Sequence, residues 1–158
     1  MRKPKIYLET SVFNFVFADD APDKRLDTLK LFEEIGEGRY LPYTSDFVVE
    51  ELQRASEPKQ SQMIDLITKH DMIVLPDDTE TRRLADIYVG EGIIPAKYAA
   101  DALHIAATTV NNLDYIVSFN FKHIVKVKTV TMTESVNLRE GYKRIGIYSP
   151  TEVIDYGE

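Results

Sequence analysis

The alternation of short apolar runs with longer segments of helical periodicity constrains this chain more than any other feature. Short apolar runs predict five strands, at 5–8, 40–43, 72–75, 115–118 and 144–148. Helical spacing and helix-start residues predict helices at 23–36, from 45, from 58, at 79–89 and at 95–107. Strands that are apolar throughout and alternate with helices are typical of a parallel sheet covered by helices. The sequence therefore predicts an α/β fold, with Leu26, Leu29, Phe32 and Ile35 as the core face of the 23–36 helix.

Composition limits the size and the class of the protein. The chain has 158 residues, of which 44% are hydrophobic, which predicts one domain over 1–158 with a sizeable core. The lack of cysteine excludes a disulfide scaffold, a thiolate zinc site and a cysteine nucleophile. A net charge of −7 argues against a general nucleic-acid binder, but allows an enzyme that meets a polyanion through a few lysines and a metal ion. Charged residues interrupt every long apolar stretch, so we expect no membrane segment and a cytoplasmic location.

Polar side chains follow the predicted strands at the end where a parallel α/β sheet binds its ligands. Glu9 ends the first strand, Glu50 and Glu51 lie on the helix after the second, and Asn120 follows the fourth. Each also has a purely structural interpretation. Glu9 would cap the following backbone, the paired glutamates would lie on an exposed helix face, and Asn120 would be a turn residue.

Asp101 is the most informative of these acids because it lies in a helix among alanines and leucine. A carboxylate in packed surroundings is costly unless it is paired or binds a metal ion. Three alternatives stay open: Asp101 faces solvent, pairs with Lys97, or pairs with His104. His104 itself is interpreted as a core or rim histidine.

Three carboxylates and an amide oxygen would together make an oxygen-only site suited to Mg²⁺ or Mn²⁺. Such ions activate water for attack on phosphodiesters. The chain has no Gly-rich phosphate loop and no nucleophile-elbow serine motif. Asp77 and Asp78 allow a phospho-acceptor site as a rival, although capping of the next helix is the simpler interpretation.

Four segments, in the same order, resemble blocks of the PIN-domain nucleases. Residues 6–13 resemble the first strand of that family, with Glu9-Thr10-Ser11 in place of Asp-Thr-Ser. Residues 43–52 resemble its Ser…Val…Glu-Leu helix, which places the family glutamate at Glu51. Residues 101–107 are similar to its Asp-Ala-Leu-His-Ile-Ala motif, and residues 117–124 resemble its fourth-strand block.

The resemblance implies a PIN-like α/β/α sandwich of five parallel strands in the order 3-2-1-4-5. It also implies endonucleolytic cleavage of RNA with Mg²⁺ or Mn²⁺ held by Glu9, Glu51, Asp101 and Asn120. Many members are VapC-like toxins that are inhibited by an antitoxin protein and form homodimers. We therefore expect an RNA substrate, an antitoxin partner and a homodimer.

The chain departs from the family pattern at two of these positions. Glu9 replaces an aspartate, and Asn120 stands where many members have another aspartate. A longer side chain and one fewer charge predict a single dominant metal site and weak cleavage. Ser11, Lys122 and His123 are expected to contact substrate, with Lys126 and Lys128 extending the basic stretch. The alternative function is a PIN-fold module that binds RNA or protein and has lost catalysis.

Overall fold

The computed structural model describes residues 2–157. The strands β1 to β5 lie at Lys5–Leu8, Leu41–Ser45, Ile73–Leu75, Tyr115–Val117 and Gly146–Tyr148. The helices α1 to α8 lie at Thr10–Phe15, Pro22–Gly36, Asp46–Leu52, Lys59–Lys69, Thr79–Gly90, Ala99–Val110, Val127–Arg139 and Pro150–Val153. A short 3₁₀ turn at Ala96–Tyr98 leads into α6. Within residues 2–157, every helix is too short or too polar to span a bilayer.

The five strands form one parallel sheet in the order β3-β2-β1-β4-β5, which confirms the predicted fold class and strand order. The chain moves outward from β1 to β3, then crosses back to β4 and continues to β5. Because crossover connections are right-handed, this reversal places the helices on both faces of the sheet. It also makes the β1–β4 junction the switch point, where the carboxyl ends of the strands leave a crevice.

Strand β1 is the centre of the core. Ile6, Tyr7 and Leu8 are all fully buried, and the strand pairs with β2 on one edge and β4 on the other. Burial of an Ile or Leu side chain stabilises the fold by roughly 1.5–3 kcal/mol. The residue that follows such a fixed strand is therefore held in a defined place.

The buried face of α2 differs from the prediction. Leu26 and Leu29 are 60% and 41% exposed, whereas Thr28 and Leu31 are fully buried. Thr28 can lie inside because its hydroxyl donates to the Lys24 carbonyl at 2.7 Å, which satisfies its polar group. Phe32 and Ile35 are buried as predicted, so the prediction was wrong only for Leu26 and Leu29, where the buried Thr28 carries no apolar signal.

Two predicted helix starts are confirmed by side-chain caps. Ser45 accepts the Val48 N–H at 3.3 Å, and Asp78 accepts the Thr81 N–H at 2.8 Å. Asp77 instead pairs with Arg82, with two N–O distances of 2.7 Å. The acidic pair is thus used for capping and an ion pair, which removes the support for a phospho-acceptor site there.

Candidate functional site

The crevice between β1 and β4 brings together the polar residues that follow the two strands. Leu8 pairs with Val117 as the last register partners, so Glu9 and Ser118 leave the sheet side by side. The Glu9 N–H still donates to the Val117 carbonyl at 3.2 Å. The first predicted ligand therefore lies at the switch point.

Two serine hydroxyls hold the buried Glu9 carboxylate. Ser11 Oγ and Ser118 Oγ each donate to Glu9 Oε1 at 2.6 Å. In turn, Ser11 Oγ accepts the Phe119 N–H at 2.8 Å, and Ser118 Oγ accepts the Asn120 N–H at 2.9 Å. This serine clamp, formed by Ser11, Glu9 and Ser118, ties β1 to the loop after β4. Ser11, predicted as a substrate contact, lies inside the clamp.

Asn120 organises the loop that follows β4. Its Oδ1 accepts the His123 N–H at 3.0 Å, and its carbonyl accepts the N–H groups of Ile124 and Val125 at 3.1 and 2.9 Å. This is the turn role that the sequence offered as the structural interpretation. An amide oxygen has a second lone pair, so the hydrogen bond leaves room for one more partner.

Glu51 on α3 is held by a chain of hydrogen bonds that starts in the core. Tyr7 Oη lies 2.6 Å from both Ser45 Oγ and His104 Nδ1, and His104 Nε2 lies 2.5 Å from Glu51 Oε1. Thr10 Oγ1 donates to the same carboxylate oxygen at 2.8 Å. Glu50 points away and pairs with Arg54 at 3.4 Å on the surface, so the family-based choice of Glu51 agrees with the geometry.

The ionisation of this relay follows from burial and from neighbouring charge. Burial raises the pKa of Tyr7 well above its usual value, so the phenol stays a neutral hydroxyl. Burial opposes the charge on both His104 and Glu51. Their hydrogen bond and mutual attraction outweigh it, raising the pKa of His104 and lowering that of Glu51. The relay therefore keeps Glu51 ionised and fixed in orientation.

Asp101 lies near the start of α6 and is half-buried, so the solvent-facing alternative is wrong. The Lys97 ammonium lies over the Tyr98 ring instead, at 5.8 Å, and both His104 nitrogens are used by Tyr7 and Glu51. Burial raises the pKa of Asp101, and the Glu9 carboxylate raises it further, against the opposing effects of His104, Asn120 and His123. Across residues 2–157, Asp101 has no ion-pair partner.

The donor types around the crevice fit Mg²⁺ or Mn²⁺, because both ions prefer oxygen ligands. Across residues 2–157, however, no three His, Asp or Glu side chains converge closely enough to hold a metal ion as they stand. One oxygen of Glu9 and one of Glu51 are already bound to hydroxyls and to His104. A shared metal site formed by Glu9, Glu51, Asp101 and Asn120 therefore stays a prediction.

Tyr98, Lys122 and His123 form a cationic and aromatic cluster near Asp101. The His123 ring stacks on Tyr98 with centroids 4.2 Å apart, and the exposed Lys122 ammonium lies 5.5 Å from the Tyr98 centroid. Lys122 and His123 were predicted here, whereas Tyr98 was missed. Its position three residues before Asp101, at the start of a helix, was the available signal.

Tyr7, Thr10 and Ser118 also contribute to the site without having been predicted. Thr10 and Ser118 stand next to predicted residues in the sequence, so adjacency was a usable signal. In the sequence, Tyr7 has the pattern of a core residue in an apolar strand. Its hydrogen-bond partner His104 is 97 residues away. Nothing local in the sequence shows that pairing.

The fold has a counterpart among solved structures. The chain is similar to a chain in the crystal structure of VapBC2 from Rickettsia felis bound to a DNA fragment from their promoter, with a TM-score of 0.52. The two are 18% identical, and the match covers 73% of this chain and 88% of that chain. At that identity the likeness is one of fold. No protein-family model matches the chain, and no curated protein matches it.

Proposed function

We propose that this protein is a Mg²⁺- or Mn²⁺-dependent endoribonuclease with a PIN-like fold. The observation that carries the proposal is Asp101, a half-buried carboxylate whose pKa is raised by burial and by Glu9 and which has no ion-pair partner within residues 2–157. Carboxylates held near one another at a ligand-binding crevice mark a functional site more often than a structural one. A divalent cation would relieve their repulsion.

Glu9, Glu51, Asp101 and Asn120 would hold the ion. When bound, it would supply an activated water and charge neutralisation for phosphodiester hydrolysis. The other residues orient these ligands: the serines hold Glu9, and His104 with Thr10 holds Glu51. Lys122 would contact phosphate and position the RNA backbone without reading its sequence.

The fold neighbour belongs to a structure of VapBC2. That likeness supports the further proposal that this chain is the toxin of a toxin–antitoxin pair, with an antitoxin protein as partner. A homodimer and a cytoplasmic location belong to the same proposal.

The test is a cleavage assay on single-stranded and structured RNA with Mg²⁺ or Mn²⁺. Asp101→Asn should lower the cleavage rate by about a hundredfold or more, because it removes a charged ligand whose placement sets the rate. Glu9→Asp, which restores the family residue, should retain or raise cleavage. Asp114→Asn, at the opposite end of β4, is the matched control and should cleave like the parent. Equal cleavage by the parent and Asp101→Asn would contradict the proposal and indicate a contaminating nuclease.

A second candidate function is an RNA- or protein-binding module without catalysis. The observation that favours it is the engagement of Glu9 Oε1, Glu51 Oε1 and Asn120 Oδ1 in hydrogen bonds within the protein. The same assay separates the two functions, because a binding module retains RNA but cleaves at the level of Asp101→Asn.

A further inference from the structure

The loop after β4 also carries an aromatic cluster, formed by Phe119 and Phe121 together with Phe15 of α1. Phe119 lies with its ring centroid 4.5 Å from that of Phe15 and 6.4 Å from that of Phe121. Phe119 is nearly buried, whereas Phe121 is 48% exposed. Phe121 is thus the exposed ring of the cluster, next in sequence to Asn120 at the polar crevice.

A single lysine places positive charge on this cluster. The ammonium of the exposed Lys24 on α2 lies 5.3 Å from the Phe15 centroid, 6.0 Å from that of Phe119 and 5.6 Å from that of Phe121. Cations within about 6 Å of a ring are attracted by its electron-rich face. The chain carries a net charge of −7, so this cationic aromatic surface differs in sign from the molecule as a whole.

The cluster is joined to the acidic crevice by direct hydrogen bonds. The Phe119 N–H donates to Ser11 Oγ, the same hydroxyl that holds Glu9. Asn120 stands between Phe119 and Phe121 in the chain. The exposed ring is therefore one residue from Asn120 in the chain, on the loop that is hydrogen-bonded to the serine clamp.

The loop is held in one conformation before any ligand arrives. The Phe121 N–H donates to the Phe119 carbonyl at 3.0 Å, and the Asn120 carbonyl accepts two N–H groups from the following turn. Binding to a surface that is already ordered loses less conformational entropy. Hydrogen bonds thus hold the backbone of the loop that presents the Phe121 ring, the platform.

We propose that Phe121, with Lys24 beside it, is the stacking site for an unpaired base of the RNA whose backbone meets the crevice. The proposal rests on the proposed function and adds that the substrate is recognised through an unpaired nucleotide next to the reacting phosphodiester. Stacking of a base on an aromatic side chain contributes about 1–3 kcal/mol and tolerates any base. Lys24 provides charge for the adjoining phosphate. A duplex keeps its bases inside the helix and has no free face to offer.

The chain contains no tryptophan, so Phe121→Trp creates a single fluorescent reporter at the platform. Titration with a short unstructured oligoribonucleotide, in EDTA at low salt, should quench its emission. The quenching curve should match the binding curve from the anisotropy of labelled RNA. A duplex of the same sequence should leave the emission unchanged.

Tyr156→Trp is the matched control. Tyr156 is 52% exposed and has Lys30 over its ring at 5.9 Å, but its hydroxyl binds Asp27 on α2. Like Phe121, Tyr156 is exposed and has a lysine over its ring, but it does not lie on the loop that is hydrogen-bonded to Ser11. Its emission should not respond to RNA.

Phe121→Leu tests the contribution of stacking to affinity. Leucine keeps the apolar bulk, so the variant should melt like the parent, but it should bind single-stranded RNA about fivefold to a hundredfold more weakly. Phe121→Tyr should bind like the parent, because it keeps the ring.

RNA that saturates in anisotropy without quenching the reporter at residue 121 would overturn the platform and leave the nuclease proposal intact. Equal affinity of Phe121→Leu and the parent for single-stranded RNA would likewise overturn the platform and leave the nuclease proposal intact. Quenching in EDTA, together with no cleavage when Mg²⁺ or Mn²⁺ is supplied, would retain the platform and contradict the nuclease. Absence of any RNA binding, both in EDTA and with Mg²⁺ present, would overturn both proposals and leave a protein partner as the alternative occupant of Phe121.

Discussion

The carboxylates at the two ends of strand β4 lie in opposite electrostatic environments. Asp114, just before the strand, receives the Arg2 guanidinium at 3.0 and 2.8 Å and the Lys5 N–H at 2.7 Å. Mainly because of Arg2, the pKa of Asp114 is lowered to about 2. Beyond the other end, burial and the Glu9 carboxylate raise the pKa of Asp101. A carboxylate supplied with donors stabilises the fold, whereas one placed beside another carboxylate is kept at a cost, which is why we propose Asp101 as a site residue.

Like Asp114, Glu51 is held by hydrogen-bond donors, in this case His104 and Thr10. Tyr7→Phe tests this arrangement, because Tyr7 is the next member of the hydrogen-bond chain. The substitution keeps the ring but leaves Ser45 and His104 without their shared partner in the core. The free energy of unfolding in urea should fall by roughly 1–3 kcal/mol. RNA cleavage should fall about tenfold, because His104 loses the Tyr7 hydroxyl that orients it and holds the Glu51 carboxylate less firmly.

Tyr40→Phe is the control for this prediction. The Tyr40 hydroxyl donates to the Val153 carbonyl at 2.7 Å, well away from the crevice residues in the fold. This variant should cleave RNA at the parent rate. Unaltered cleavage by Tyr7→Phe would mean that Glu51 needs no relay.

Exchanging each aspartate for asparagine should sharpen the contrast between the two ends of β4. Asp114→Asn loses a charged partner of Arg2 and should lower the free energy of unfolding by roughly 1–2 kcal/mol. Asp101→Asn removes repulsion with Glu9 and should leave the melting temperature unchanged or raise it. Thermal and urea unfolding of both variants measure this. Destabilisation of equal size at both positions would remove the distinction between the two ends.

Acid should abolish the contribution of Asp114 while favouring the protonated form of Asp101 in the folded state. Because the pKa of Asp114 is lowered from 3.8 to about 2, its stabilisation is complete above about pH 4 and is lost as the pH falls toward 2. The difference in unfolding free energy between the parent and Asp114→Asn should therefore shrink over this interval. A difference that stays constant with pH would show that Asp114 acts through packing alone.

The strand β1 and the helix caps could be predicted because their signals are local. The apolar run at Lys5–Leu8 gave the strand with the observed bounds, and Ser45 and Asp78 cap the helices that follow them. Strand ends elsewhere shifted by one or two residues, as with β2, predicted at 40–43 and observed at Leu41–Ser45. Pairing with neighbours sets those ends, and the neighbours are distant in sequence.

Helix α7 was missed because its buried face is polar. Thr129, Thr133 and Asn137 are fully buried, whereas Val127 and Leu138 are 83% and 78% exposed. A search for apolar periodicity therefore finds nothing helical, and Lys126 and Lys128 were predicted only as part of a basic stretch. Asn137 is satisfied across the fold, where its Nδ2 donates to Thr109 Oγ1 at 3.2 Å, and Thr129 Oγ1 donates to the His123 carbonyl at 2.6 Å.

The serine clamp means that Glu9 fastens the centre of the sheet as well as facing the crevice. Its two hydroxyl partners come from segments 107 residues apart, so a truncated side chain at position 9 would loosen the junction of β1 and β4. Under the nuclease proposal, a genetic selection for inactive protein would recover at this position misfolded chains as well as folded ones without the Glu9 carboxylate. Changes at Asp101, which forms no ion pair within residues 2–157, would give a larger share of folded, inactive variants.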